Sequence, residues 1–226
     1  MKFVFLILLA AVTVVHLIDS WRDDAKKRRI TKPFLLILIL LYYIFSADSI
    51  SWLLIGALLT SWLGDILLIP SGNKWFVSGG ISFMISHFLF IAVYASNVIG
   101  CSFSGVIWWA VIPVAVIYIA ISLFIIRAIK DTAPKMMIVP LYIYLLCNSA
   151  MNIFSLMQLM CLRSPASVIA YIGAVMFFIS DCSLYLVRYH GNRDIIFKRH
   201  FTVMLTYILG EFLITQGILM IGTGLI

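Results

Sequence analysis

The sequence predicts an all-α, polytopic membrane protein with eight transmembrane helices and both termini on the non-cytoplasmic side. Three observations predict it: bulk composition, the spacing of the apolar runs, and the placement of the basic residues. Of 226 residues, 64% are hydrophobic and 11% charged, and the mean hydropathy is +1.13. A soluble domain carries about 45–50% apolar and about 25% charged residues. So little polar surface cannot cover a water-soluble globule, and lipid must solvate most of the exterior.

Apolar runs fall at 2–18, 33–47, 50–69, 75–96, 103–126, 136–160, 165–187 and 201–224. A span needs about 20 residues, so the chain length suits eight helices with short loops and leaves no separate soluble domain. Before the first run stands only Lys2, six basic residues follow it, and no A-x-A-like site precedes Trp21. It reads as an uncleaved helix rather than a leader. The second run is opened by Lys32 and Pro33. Pro113 and Pro140 lie inside the fifth and sixth, where lipid-embedded helices tolerate kinks because neighbours satisfy the freed carbonyls. No repeat or long linker interrupts the series, which makes residues 1–226 one domain.

Charge then gives the series a direction. Fourteen of the sixteen basic residues, Arg193 among them, fall in or beside the loops that follow odd-numbered runs. Only Lys2 and Arg163 lie opposite. The positive-inside rule places the basic loops in the cytoplasm, whether the membrane is a bacterial inner membrane or a eukaryotic endomembrane. The same placement argues against nucleic acid as the reason for a net charge of +7. Cys101, Cys147, Cys161 and Cys182 show no CxxC or His-paired spacing, so neither a zinc site nor a disulfide framework is indicated, and they read as small buried hydrophobes.

Four ionisable groups stand inside predicted spans: Asp65 in the third, His87 in the fourth, Asp181 in the seventh and Glu211 in the eighth. An Asp in mid-span costs at least ~2.5–3.5 kcal/mol on insertion scales, so such residues are functional candidates. Each aspartate precedes the inner end of its run by about five residues, roughly 7–8 Å. The histidine and glutamate sit roughly 15–18 Å in, so all four can face one cavity in the cytoplasmic half. Ser61 is one turn from Asp65, and Tyr207 one turn from Glu211. Tyr144, Asn148, Asn152 and Ser155 form a stripe at i, i+4, i+8 and i+11 on the sixth helix. The plainer alternative is that these groups only fasten helices together. That serves well for the stripe, but a carboxylate is a poor choice where Ser or Asn would do. Trp52, Trp75, Trp108 and Trp109 read as interface anchors.

At these residues the chain resembles the lysoplasmalogenase family, the YhhN-like membrane proteins. The resemblance runs through Lys32-Pro33, through Ser61-Trp62-Leu63-Gly64-Asp65-Ile66-Leu67-Leu68, and through Phe83 with Ser86-His87-Phe88-Leu89-Phe90. It continues in Gly173-Ala174, Phe177 and Ser180-Asp181, and closes with Thr206-Tyr207 and Gly210-Glu211-Phe212-Leu213-Ile214. Glu211 stands where the family usually has Gln, and Phe90 where Tyr is often found.

The resemblance implies a hydrolase that cleaves the vinyl ether bond of lysoplasmalogens to a fatty aldehyde and a glycerophospho-alcohol. The partners would be the lipid bilayer and a lysophospholipid substrate. Such chemistry needs one protonated carboxyl and one carboxylate, as in glycoside hydrolysis, and no metal or cofactor. Asp65 and Asp181 are the expected pair, with His87 beside them. Tyr207, Glu211, Ser61, Ser180, Asn148 and Asn152 would orient substrate or water, and Lys32 would meet the phosphate. The rival reading is a transporter or channel for a small or lipid-like solute, using the buried acids for proton coupling. A non-catalytic scaffold is a third, and predicts that neutralising Asp65 chiefly lowers stability.

Overall fold

The computed structural model of the chain describes residues 2–101, 105–192 and 194–224, with side chains for all but 105–107. Arg193 lies outside the described residues. Each apolar run becomes a helix, because a backbone in hydrocarbon must satisfy its own hydrogen bonds. In chain order these are α1 (Lys2–Trp21), α2 (Ala25–Ile44), α3 (Trp52–Leu67), α4 (Asn73–Asn97), α5 (Gly105–Ile129), α6 (Lys135–Leu162), α7 (Pro165–Tyr189) and α8 (His200–Gly222). No strand occurs among the described residues. Six of the helices, α1 and α4 to α8, contain stretches long and apolar enough to cross a membrane. The chain is therefore a multi-pass membrane protein. Of the other two, α3 is apolar but has only 16 residues, and α2 begins with basic turns.

Two boundaries depart from the hydropathy reading. The second helix starts at Ala25, well before its apolar run. Asp24 caps it, accepting the backbone N–H groups of Lys26 at 3.1 Å and Lys27 at 3.2 Å. Hydropathy marks where lipid begins, whereas Lys and Arg are good helix formers in water. Lys32 and Pro33 thus lie inside α2 rather than at its opening. The third helix stops at Leu67, which puts Asp65 in its last turn, while Asp181 lies two turns inside the longer α7. The two carboxyls are not equally far from their helix ends, as the run lengths had implied.

Successive helices alternate in direction. The starts of α2, α4, α6 and α8 meet the ends of α1, α3 and α7 around one cavity. The ends of α2, α4 and α8 meet around another. The first of these ends carries Arg28, Arg29, Lys32 and Arg188, and is called the basic end below. Helices α7 and α8 approach most closely. A Cβ on Gly173 would lie 2.6 Å from the Ile214 nitrogen, and one on Gly217 would lie 2.6 Å from the Ala166 carbonyl oxygen. Small residues permit such backbone contact where lipid offers no hydrophobic drive for helix association. The contact sets α7, which carries Asp181, directly against α8, which carries Tyr207. The four tryptophans expected at interfaces are all exposed on the outside of the bundle.

One expectation is overturned. Cys101, after α4, and Cys161, at the end of α6, form a disulfide with a Cα–Cα distance of 6.1 Å. Sixty residues separate them in sequence, and only the packing of α4 against α6 brings them together, so no local spacing announces the pair. Cys147 and Cys182 are free and buried, as expected. Replacing Cys101 by Ser should lower the Tm in detergent, with a loss of about 2–4 kcal/mol by analogy with other long-loop bridges. A mobility shift of the native protein on reducing against non-reducing gels checks that the bridge forms.

Candidate functional site

Side chains from seven helices converge at the basic end on a cavity of about 600 Å³. Asp65 and Asp181 both line it, and both are almost fully buried. Their surroundings differ. Asp65 receives the Lys32 ammonium on Oδ1 at 3.0 Å and the Tyr207 hydroxyl on Oδ2 at 2.8 Å. Asp181 accepts the Tyr144 hydroxyl at 2.9 Å and the Asn148 amide at 2.6 Å, both on Oδ2. One carboxyl has a cation as its partner and the other has only uncharged donors.

The sixth-helix stripe explains that second set. Asn152 donates to the Asn148 side-chain oxygen at 2.9 Å and accepts from the Tyr118 hydroxyl at 3.0 Å. Its amide thereby holds Asn148 with an N–H toward Asp181. His87 lies on the same side, with Nε2 3.9 Å from Asp181 Oδ2, and among the described residues neither ring nitrogen has a hydrogen-bond partner. Its ring packs between Tyr144, at 5.2 Å, and Phe177, at 5.1 Å. Phe177 in turn contacts Phe83 and Tyr207, so a chain of rings links His87, beside Asp181, to Tyr207, which bonds Asp65. Aromatic faces are favourable neighbours for a developing cation.

The remaining candidates divide. Ser61 bonds Ser86 at 2.7 Å across α3 and α4, one turn behind Asp65. Ser180 lines the cavity, but its hydroxyl is donated to the Val203 carbonyl at 2.9 Å, fastening α7 to α8. Glu211 is fully buried, and among the described residues neither of its carboxyl oxygens has a hydrogen-bond partner and it does not line the cavity. Lys32 is engaged by Asp65 instead of standing free for an anion.

Several cavity residues escaped the sequence reading. Tyr144 was visible only as a member of the stripe, and its bond to Asp181 had no sequence signal. His16, Arg28, Arg29, Arg188 and His200 also line the cavity. Arg28 donates to Asp23 at 2.6 Å, and His200 lies 3.9 Å from the same carboxylate. Burial opposes the charge on Asp23, but the Arg28 hydrogen bond and charge prevail and hold its carboxyl below the usual range.

Compared with known proteins, residues 27–218 match the model of the YhhN family. No curated protein and no solved structure matches the chain.

Proposed function

The chain belongs to the YhhN family, the family of lysoplasmalogenases, and from that premise we propose that it is a membrane-embedded hydrolase of the vinyl ether bond of lysoplasmalogens. The observation that carries the reading is the pair of differently partnered aspartates on one cavity. Asp65, paired with the Lys32 ammonium through Oδ1, is assigned as the carboxylate. Asp181, held through Oδ2 by Tyr144 and Asn148, is assigned as the general acid, its other oxygen left for substrate.

In this mechanism the Asp181 proton adds to the vinyl carbon not bonded to oxygen, leaving an oxocarbenium ion. Asp65 stabilises the cation electrostatically, helped by the faces of Phe83 and Tyr207. Water adds to the carbon bonded to oxygen and loses a proton, which returns to Asp181. The hemiacetal then collapses to a fatty aldehyde and the glycerophospho-alcohol, with one water consumed. His87, 3.9 Å from Asp181, is proposed to position that carboxyl from behind the cavity wall, since it is fully buried and is not among the lining residues.

All eight helices are proposed to cross the bilayer, with the basic end in the cytoplasm and both termini opposite. The Cys101–Cys161 bridge supports that orientation, since it lies at the end away from the basic loops, and disulfides persist in oxidising compartments. Purified protein given a lysoplasmalogen should release fatty aldehyde. A saturated alkyl lysolipid should release none, because its ether has no double bond to protonate. Absence of aldehyde from a folded preparation would sink the proposal.

Coupled transport of a small solute remains the competing reading. It draws on a second cavity of about 250 Å³ at the opposite end, lined by Asp48, Ser51 and Asn97 among others. Solute flux into liposomes without covalent turnover is its signature.

A further inference from the structure

The cavity at the basic end also opens sideways. On α4 it is lined by Val77, Gly80, Ile81 and Met84, and on α6 by Met137, Pro140, Leu141 and Ile143. Ile81 is 49% exposed and Ile143 51% exposed, so these residues face the bundle exterior as well as the cavity. A Cβ on Gly80 would meet nothing within 4 Å. The seam between the helices closes farther in, where the Cys147 thiol meets the Met84 carbonyl at 3.9 Å and Asn97 bonds Gln158 at 2.8 Å. Below that closure the two helices leave an apolar slot. Gly80 lies seven residues past the start of α4, roughly 10 Å along the helix axis, a depth at which hydrocarbon chains begin.

The rim of the same cavity has the opposite character. Arg29 and Arg188 line it, and among the described residues neither pairs with a carboxylate. The Arg188 guanidinium is held 4.0 Å above the Phe76 ring, which fixes its position without neutralising it. Lys32 is paired with Asp65, and Asp23 serves Arg28 and His200. Two guanidiniums are thus left at the water-facing end of an apolar slot.

We propose that the α4–α6 slot is a lateral portal through which the single hydrocarbon chain of a phospholipid enters from the leaflet at the basic end, with its phosphate held by Arg29 and Arg188. Guanidinium groups suit phosphate because their planar N–H forks match its oxygens. The chain lies in the slot while the first carbons below the head group reach the level of Asp65 and Asp181. The proposal rests on reading this cavity as the substrate site, but not on any turnover there.

The test uses a saturated lysophosphatidylcholine carrying a diazirine in mid-chain, which the proposed chemistry leaves intact. Photolysis in proteoliposomes should label peptides spanning 77–84 and 137–143. Gly80→Trp, which fills the slot, should lower that labelling at least tenfold, whereas Gly80→Ala should keep it. Joint replacement of Arg29 and Arg188 by Gln should lower it similarly. A monoacylglycerol probe with the same chain and no phosphate should label weakly in every variant. The proposal is overturned if Gly80→Trp labels like the parent, if the label lies away from α4 and α6, or if the phosphate makes no difference. Since no bond is cleaved, failure of the hydrolase reading would appear only in the aldehyde assay.

Discussion

Asp181→Asn is expected to cut aldehyde release by about 10²–10⁴-fold, the usual worth of a positioned general acid. The substitution preserves shape, and an Asn oxygen can still accept the Tyr144 hydroxyl and the Asn148 amide that reach Oδ2 in the native protein. What disappears is the acidic proton facing the cavity. Stability should therefore change little while the chemical step fails. Thermal unfolding in detergent and aldehyde release, measured on the same preparation, separate the two effects. Activity within tenfold of the parent would remove Asp181 from the role of acid. Tyr144→Phe should have a smaller effect on turnover, since Asn148 still holds the carboxyl.

Lys32→Met tests the other carboxyl through stability. Removing the ammonium that lies 3.0 Å from Asp65 leaves a buried carboxylate whose one other partner among the described residues is the Tyr207 hydroxyl. Breaking a buried pair from one side costs about 3–5 kcal/mol in other proteins, because a charge is left uncompensated. Replacing both members often restores stability, since the desolvation of two charges is removed with their attraction. The double variant Lys32→Met with Asp65→Asn should thus recover much of the lost Tm yet remain inactive. If the single variant is as stable as the parent, Asp65 does not carry a charge in the folded protein. If the double variant hydrolyses substrate, the carboxylate is dispensable.

The pair illustrates how far the sequence reading reached. Asp65 and Asp181 were legible because a carboxylate within an apolar run stands out against its neighbours. The stripe on α6 was legible because helical periodicity aligns Tyr144, Asn148 and Asn152 on one face. Lys32 is legible as a basic residue near the interface, while its pairing with Asp65 is not. Its run of basic neighbours looked like a loop, and a loop lysine at the interface suggests a lipid phosphate. Once Asp24 starts α2 at Ala25, Lys32 is carried on a helix and aimed at α3. Arg29 and Arg188, counted only as topology signals, line the cavity, and among the described residues neither pairs with a carboxylate.

The sequence by itself determined that this chain is a bundle of membrane helices, where each apolar stretch lies, and which loops hold the positive charge. Those properties are local, because the bilayer sorts residues by depth along a single axis, and hydropathy and charge report depth directly. Only the tertiary structure decided which groups meet at a given depth. Lys32 on Asp65, Tyr144 on Asp181, Cys101 on Cys161 and the gap between α4 and α6 all depend on helix order and on rotation about each helix axis. Neither is written in a hydropathy profile. They arise where small residues such as Gly173 and Gly217 let backbones close together, and where open space beside Gly80 leaves them apart.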